Sequence, residues 1–523
     1  MLLTACGADS EGPGERQQAA TADTVTIAIS SDEGTLTPFT NQTGYPGNNL
    51  VKLIFDTLTV VKGDEVVPLL AKDIETSDNK VFTMRLREGV VWHDGEPFTA
   101  DDVVFSVEFY RANMEGDSAI DVRPIKDVTV DGNTVTMTLD APDPEFPRRI
   151  LADMAILPQH LWESVDKVST AGADLAVGTG PYKLTKYDNA RGYTLTANRS
   201  YALGKPRVKT LKVVVIPEES TQFAALRTGE IDMSTRIIPP QQMESLRNQS
   251  GVGVIKGTEF ASTLLAFNTT RAPFDRVEVR RALAKAIDVK DLVKTALLGQ
   301  GTPGNPGFVH PESPLGGETL PPLYDVDAAN QELDALGATR GPNGVRVLDG
   351  KPMSFELLVQ STSTDRLRSA ELIRDMFDAV GVSVKISSLD GDSVTAKVWP
   401  NYDIREGRNY DMSMWGWSAP VMLSSGFIAQ LVDSDPADGS LNIVGFSDPA
   451  TDQVLDELRA APTLDGRAEA VTTLQQRIAD QLPFVTLYYR DGAYAFRESV
   501  YDGWTWQNGK GILQNFSFVD YKL

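Results

Sequence analysis

Side chains that could act as nucleophiles or metal ligands are few and widely spaced in this chain. There is one cysteine, Cys6, and there are three histidines, His93, His160 and His310. None of the histidines stands at metal-ligand spacing from another histidine or from the cysteine. The sequence contains no Gly-x-Ser-x-Gly, Walker A or His-Glu-x-x-His motif, the patterns of common hydrolases, nucleotide-binding loops and zinc proteases. We therefore predict no catalytic residues, no metal site and no cofactor, and expect that the protein is not an enzyme.

Two weaker motifs are interpreted as turns. Residues 299–304 match the glycine spacing of a dinucleotide-binding loop, but they follow a predicted helix instead of a strand, and Pro303 falls where a helix would have to begin. Residues 433–439 hint at a calcium loop, but Val444 stands where the twelfth position needs a glutamate. Neither segment is therefore a predicted site.

An aromatic segment, residues 410–419, is the strongest candidate for a binding surface. A strand would place Trp415 and Trp417 on one face, because alternate side chains of a strand point the same way. Two large rings on one face could form a wall against which a ligand stacks. They could equally be part of the core, where tryptophan is mostly buried, and the sequence leaves both interpretations open.

Arg405 and Arg408 lie just upstream, in a polar loop. The planar guanidinium fork of arginine is suited to binding a carboxylate. The alternative is that both are ordinary solvated loop residues. We retain both arginines as candidate ligand-binding residues.

Composition excludes several classes of partner. The chain has 523 residues with 49 Lys+Arg and 72 Asp+Glu, a net charge of −23. A surface of this sign repels nucleic acid and anionic lipid headgroups, so neither is an expected partner. No apolar run reaches the roughly 18 residues that a transmembrane helix needs. A length far beyond one small core predicts two or three lobes.

Periodicity and turn signals predict a mixed α/β fold. Val25, Ile27 and Ile29 alternate with polar or small residues, which indicates a half-buried strand. Thr99 is a predicted helix cap, completed by a carboxylate at Asp102. Residues 355–388 read as strand, helix and strand, a βαβ unit that implies a parallel sheet.

The N-terminus carries the one signal for membrane attachment. Leu3-Thr4-Ala5-Cys6-Gly7 resembles the bacterial lipobox, in which the cysteine is lipidated, and residues 7–23 are small, polar and suited to a flexible tether. The basic and apolar regions of an export signal are missing. Two interpretations remain open. In the first, the start codon was assigned too late or the chain was trimmed, and the lipobox is real. In the second, the match arose by chance in a cytosolic protein.

Nearly the whole chain, about residues 24–520, resembles the extracellular solute-binding proteins of the peptide/nickel ABC importer family (family 5). Several independent segments match the motifs of that family in the right order. They are residues 66–71, 86–105, 178–182, 226–232, 267–269, 273–275 and 279–288.

The resemblance implies an α/β, two-lobed periplasmic-binding-protein fold of the large class, with the ligand cleft between the lobes. Residues 1–23 would be a lipobox remnant and tether. Lobe I would combine 24–44, 178–268 and 487–523, with a subdomain at 45–177 inserted in it, and lobe II would be 269–486. The chain would cross between the lobes near Phe267–Asn268 and near Leu487–Tyr488.

The resemblance also indicates which residues would bind the ligand. Together with the residues singled out above, the expected set is Asp32, Glu33, Gly34, Arg405, Arg408, Trp415, Trp417, Ser418 and Tyr488. In peptide-binding members, an aspartate after the Trp-Gly-Trp-like segment pairs with the free amino group of the peptide. Here Pro420 stands at that position. An amine anchor is therefore not expected, although a peptide could still bind through backbone hydrogen bonds.

The function implied is that of the substrate-binding component of an ABC importer, which captures di- or oligopeptides and delivers them to a permease and ATPase complex. The same role for an oligosaccharide, opine or metal chelate is the first alternative, and a surface adhesin or sensor without transport is the second. Such a protein would be a monomer, exported to the periplasm or the outer face of the cell membrane and held there only by a lipid at Cys6.

Overall fold

A computed structural model describes residues 21–40, 45–113, 122–316 and 319–523, apart from the side chain of Pro420. The proposed lipidation site, Cys6, and the tether up to residue 20 lie outside the described residues. Within these ranges, no helix combines the length and the apolar character needed to cross a bilayer.

The chain from 22 to 177 forms one strand of the main sheet and then the subdomain. Its strands and helices are β1 (Ala22–Ile29), α1 (Gly47–Ile54), β2 (Thr59–Lys62), β3 (Glu65–Pro68), β4 (Ala71–Glu75), β5 (Val81–Leu86), α2 (Ala100–Ala112), β6 (Ile125–Asp131), β7 (Thr134–Leu139), α3 (Phe146–Arg149) and α4 (Gln159–Trp162). The capping box predicted at Thr99 and Asp102 is present at the start of α2. Strands β4 to β7 form a separate antiparallel sheet in the order β4-β5-β7-β6.

Residues 178–267 return to the main sheet. Their elements are β8 (Tyr182–Asp188), β9 (Gly192–Ala197), β10 (Gly204–Pro206), β11 (Val208–Val215), α5 (Glu219–Thr228), β12 (Met233–Ser234), α6 (Pro240–Arg247) and β13 (Val252–Phe267). The predicted strand at Val25 to Ile29 is confirmed: β1 pairs in parallel with β11 and β12.

The next part of the chain is mostly helical. It comprises α7 (Val277–Lys285), α8 (Val289–Thr295), β14 (Gly301–Pro303), α9 (Val326–Ala335), β15 (Thr339–Arg340), β16 (Arg346–Leu348), β17 (Lys351–Pro352), β18 (Ser354–Gln360), α10 (Thr364–Ala379), β19 (Ser383–Leu389), α11 (Gly391–Val398), β20 (Met412–Trp415), α12 (Ala419–Leu423), α13 (Ser425–Gln430), α14 (Pro449–Ala460) and α15 (Leu464–Gln481). The predicted βαβ unit is confirmed, because β18 and β19 pair in parallel on either side of α10.

The last elements are β21 (Phe484–Arg497), α16 (Asn515–Phe518) and β22 (Val519–Tyr521). Strands β13 and β21 are the longest, with 16 and 14 residues, and they pair with each other along most of their length. The main sheet has the order β19-β18-β20-β13-β21-β12-β1-β11-β9-β8. The two long strands therefore connect its two halves.

The two ends of this strand pair belong to different hydrophobic cores. Val252 and Ala495 pack in a core with helices α5 and α6, whereas Leu265 and Val485 pack in a core with α7, α8 and α10. The register of β13 and β21 is interrupted between Thr258 and Ala261 and again between Thr263 and Leu264, and the first break lies closer to the change of core. The change of core therefore falls near 258–261 and 490–492, and the crossings near Phe267–Asn268 and Leu487–Tyr488 stay a prediction. A continuous strand carries no composition signal at the point where it leaves one core for the next.

Candidate functional site

The aromatic segment lies at the carboxyl end of β20, in the lobe II half of the sheet. Beyond Trp415 the chain stays beside β13, because Ser262 N–H donates to the Trp417 carbonyl at 2.9 Å and Trp417 N–H donates to Ser262 Oγ at 3.3 Å. A Cβ on Gly416 would lie 2.3 Å from the Ser262 carbonyl oxygen. Only glycine allows this close approach.

Four rings form what we call the aromatic cluster: Trp399, Tyr402, Trp415 and Trp417. The indoles of Trp415 and Trp417 lie 6.1 Å apart edge to face, Trp399 lies 5.9 Å from Trp417, and Tyr402 lies 5.2 Å from Trp399. Trp415 and Trp417 are half-buried and rest on the edge of a lobe II core, while Tyr402 is 68% exposed. The rings therefore combine core packing with an exposed apolar surface.

The two arginines singled out from the sequence both have partners within the protein. Arg405 is exposed and forms an ion pair with Asp403 at 2.7 Å. Arg408 donates to the carbonyl oxygens of Ile443 and Asn442 at 2.8 and 2.7 Å. Arg408 thus stabilises a loop of lobe II. In both arginines, some of the guanidinium N–H donors already bind protein groups and are not available to a ligand.

A third arginine, Arg366, was missed by the sequence reasoning. It stands in the first turn of α10, and its Nη2 would lie 2.4 Å from a Cβ on Gly416. Its neighbour Asp365 pairs with Arg490 at 3.3 Å. Among the described residues, no hydrogen bond or ion pair reaches the Arg366 guanidinium. Burial lowers the pKa of Arg366, with Arg490 acting in the same direction and Tyr488 and Asp365 opposing.

A sequence signal for Arg366 did exist. It follows β18, the first strand of the predicted βαβ unit, and ligands of open α/β sheets bind beyond the carboxyl ends of parallel strands. Strand β18 also pairs in parallel with β20, which leads into the aromatic cluster. The two segments therefore had to emerge side by side at one edge of the sheet.

The remaining lobe II candidates lie close to this arginine. Tyr488 is buried and accepts a hydrogen bond from Ser369 of α10 at 3.2 Å. Burial raises the pKa of Tyr488. Ser418 is exposed and stands directly before α12, without a side-chain hydrogen bond to the helix. We call Arg366, Trp415, Trp417 and Ser418 the lobe II wall, because Arg366 lies against Gly416 of the segment that carries the other three, and Tyr488 is buried behind it.

The lobe I candidates, Asp32 to Gly34, are arranged differently. The Asp32 carboxylate accepts hydrogen bonds from the hydroxyls of Tyr193 and Tyr187, at 2.5 and 3.1 Å, and from two backbone N–H groups. Burial would raise the pKa of Asp32, but these hydrogen bonds outweigh it and lower the pKa. Glu33 is fully buried. Gly34 has a φ of +74° and no room for a Cβ beside the Thr40 carbonyl.

Each of the three histidines contacts other groups of the protein. His93 bonds to the Gly178–Gly180 turn, and burial lowers its pKa to about 4. His160 lies 2.8 Å from Asp94, and His310 packs edge to face against Phe260 and Tyr489. In the described ranges, no group of three or more His, Cys, Asp or Glu side chains could hold a metal ion.

Comparison with known proteins decides the family. Residues 65–439 match the model of the bacterial extracellular solute-binding proteins, family 5. The chain belongs to this family. The resemblance seen in the sequence is thereby confirmed, and proteins of the family are extracellular or periplasmic solute-binding proteins.

Several known proteins are similar to this chain over most of its length. Protein XP55 of Streptomyces lividans is 28% identical over 93% of this chain and 87% of its own length. The oligopeptide-binding protein AppA of Bacillus subtilis is 24% identical over 82% of this chain and 79% of its own. The crystal structure of NikZ from Campylobacter jejuni with Ni(L-His) has a TM-score of 0.78 at 24% identity and covers 95% of this chain and 100% of NikZ. This likeness confirms the two-lobed periplasmic-binding-protein fold.

Proposed function

We propose that this chain is the substrate-binding component of an ABC importer that captures peptides in the cleft between its lobes and passes them to a permease and ATPase complex. The observation that carries the proposal is the lobe II wall, where Arg366, which makes no hydrogen bond or ion pair to the described residues, lies beside half-buried aromatic rings. A carboxylate is the group that a guanidinium fork binds best. Relatives in the same family are named as oligopeptide-binding proteins.

The arrangement suits capture without chemistry. The solute would dock first on the lobe II wall, with its carboxylate on Arg366 and an apolar part against Trp417. Lobe I would then close over it by bending of β13 and β21 near the register break between Thr258 and Ala261. The closed form becomes more populated because the solute binds it more tightly than the open form. No step of this cycle makes or breaks a covalent bond, so we propose that the chain is not an enzyme.

The amino and carboxyl ends of the peptide should not contribute equally to the binding free energy. Arg366 offers donors to a carboxylate, whereas Pro420 has no side chain that could pair with an amine. We infer that the carboxyl end is the anchored end. Asp32, Glu33 and Gly34 then shape the opposite surface, and Arg405, Arg408 and Tyr488 support the wall.

Calorimetric titration with end-modified peptides tests this proposal. The strongest binder from a library of tri- to pentapeptides is compared with its N-acetylated and C-amidated forms. We expect acetylation to change the affinity little, and amidation to weaken binding about tenfold or more, because the charge-assisted hydrogen bonds to Arg366 are lost. Absence of binding by every peptide would refute the peptide assignment. Equal loss from both modifications would refute the anchoring at Arg366.

A flat metal chelate is the second candidate solute. NikZ is described in complex with Ni(L-His), and a relative from Haemophilus influenzae is named heme-binding protein A. The aromatic cluster here offers stacking faces that such ligands could use. Titration of nickel with histidine, and of haem, distinguishes this candidate from a peptide. An adhesin or sensor without transport would bind its solute but would not support uptake of that solute by the host.

The cellular setting is proposed on the same basis. The protein would be a monomer held at the outer face of the cell membrane through a lipid on Cys6. The division into a tether at 1–23, lobe I, the 45–177 subdomain and lobe II is retained as a proposal, together with the crossings near Phe267–Asn268 and Leu487–Tyr488. Detection of a lipid on Cys6 by mass spectrometry of the protein from its own host would test the anchor.

A further inference from the structure

A cluster of buried charged side chains joins the subdomain to lobe II. Its residues are distant in sequence from the two places where the chain crosses between the lobes. The Glu145 carboxylate accepts hydrogen bonds at 3.3 Å from the Ser424 hydroxyl and from the Ser425 N–H. Glu145 is only 3% exposed. Glu145 directly precedes α3 of the subdomain. Among the described residues, all hydrogen-bond donors to its carboxylate belong to lobe II.

An arginine of lobe II completes the cluster. Arg467, in the first turn of α15, lies 3.0 Å from Asp143 and 3.8 Å from Glu145. Arg149 holds the second oxygen of Asp143 at 2.9 Å. The Arg467 and Asp143 side chains are each 12% exposed. A buried charge is tolerated only when it is paired and hydrogen-bonded, so these groups fit one another only while the subdomain and lobe II are in contact.

A short helix connects this cluster to the lobe II wall. Helix α12 begins directly after Ser418, which belongs to the wall, and ends at Leu423, directly before the two serines that bind Glu145. A rigid element five residues long therefore has the proposed solute site at one end and the subdomain contact at the other. Displacement of one end of such a helix displaces the other.

We propose that Asp143, Glu145 and Arg467 form a latch that holds the cleft closed, and that it sets the affinity for the solute without touching the solute. A second contact between Asn79 and the Pro462 carbonyl, at 2.8 Å, lies at the same junction. The latch adds to the closed form a stabilisation that does not depend on the solute. Because apparent affinity scales with the fraction of molecules in the closed form, weakening the latch lowers affinity. The link to affinity rests on the proposed function, but the latch itself does not.

The matched test uses two arginines of the same helix. Arg467→Ala removes the latch, whereas Arg477→Ala removes an ion pair with Asp448 that lies wholly within lobe II. Small-angle X-ray scattering is recorded on both variants without solute. We expect a more extended profile for Arg467→Ala and the wild-type profile for Arg477→Ala. A wild-type profile for folded Arg467→Ala would overturn the proposal, whatever the solute turns out to be.

Glu145→Gln is a second variant in case Arg467→Ala does not fold, because it keeps the shape of the side chain while it removes the charge and replaces one acceptor oxygen by a donor. Circular dichroism checks the fold of each protein. With the solute in hand, we expect Glu145→Gln and Arg467→Ala each to raise Kd by about tenfold, mainly through faster dissociation, and the double variant to add little. Independent, additive effects would show that the two residues do not form one latch and would overturn the proposal.

Discussion

The two surfaces proposed to face the solute differ in how their polar groups are used. On lobe I, Asp32 is bonded by two tyrosine hydroxyls and two backbone N–H groups, and Glu33 is fully buried. On lobe II, Arg366 has no hydrogen bond or ion pair to the described residues, and Trp417 is only half-buried. Polar groups that are already paired gain little from a ligand, whereas unpaired donors gain much. We therefore propose that lobe II supplies most of the binding energy and that lobe I covers the solute.

The largest effect on affinity is expected at Arg366. Arg366→Met keeps the length of the side chain and removes its donors, and a hydrogen bond to a charged group contributes about 1.5–3 kcal/mol. We therefore expect the Kd for a solute with a free carboxylate to rise about ten- to a hundredfold in calorimetric titration. Arg368→Met is the matched control, because Arg368 lies in the same helix but is exposed. Equal loss in both variants would contradict the comparison between the lobes.

A smaller effect is expected at Trp417. Trp417→Ala removes an exposed ring face and the edge contacts with Trp399 and Trp415, and aromatic contacts contribute about 0.5–1.5 kcal/mol beyond the buried area. We expect about a tenfold loss of affinity, with most of it restored in Trp417→Phe. Binding that is unchanged in Trp417→Ala would place the ring in the core and remove it from the wall.

On lobe I, substitution should affect stability more than binding. Asp32→Asn weakens the network with Tyr187 and Tyr193 but leaves the lobe II wall intact, so we expect a Kd within about twofold of the wild type. The folded protein lowers the pKa of Asp32 below its ordinary value of 3.8. The carboxylate therefore contributes stability above that pH, and the contribution disappears as the pH falls through the folded pKa.

Thermal unfolding of the two proteins from pH 7 to pH 3 measures this contribution. The melting temperatures should differ most at neutral pH and converge in acid. A Kd for Asp32→Asn as high as that for Arg366→Met would show that lobe I also anchors the solute. The proposal that lobe II supplies most of the binding energy would then fail.

Local signals in the sequence were sufficient for much of the fold. The capping box at Thr99 and Asp102 and the βαβ unit around α10 depend on residues close in the chain, and both were predicted. The full length of β21 was not, because its last residues, Asp491 to Arg497, are specified by pairing with β13 and not by their own periodicity. Long-range pairing of this kind has no local signature.

The same limit applies to the site. Arg405 and Arg408 were chosen from their residue type, but Arg405 is paired two residues away with Asp403, and Arg408 bonds to carbonyl groups some 35 residues downstream. Their pairing follows from tertiary contacts that a sequence does not display. Arg366 was reachable in principle from its place after β18. Trp415 and Trp417 were singled out from alternation along a strand, but β20 ends at Trp415, and hydrogen bonds to Ser262 hold Trp417 beside β13.

Native mass spectrometry of the protein purified from its own host tests the central claim most directly. We predict one small molecule bound non-covalently per chain, carrying a carboxylate and recovered with its covalent structure unchanged, and we predict its loss from Arg366→Met prepared in parallel. A solute retained equally by both proteins, or recovered only as a cleaved product, would contradict the account.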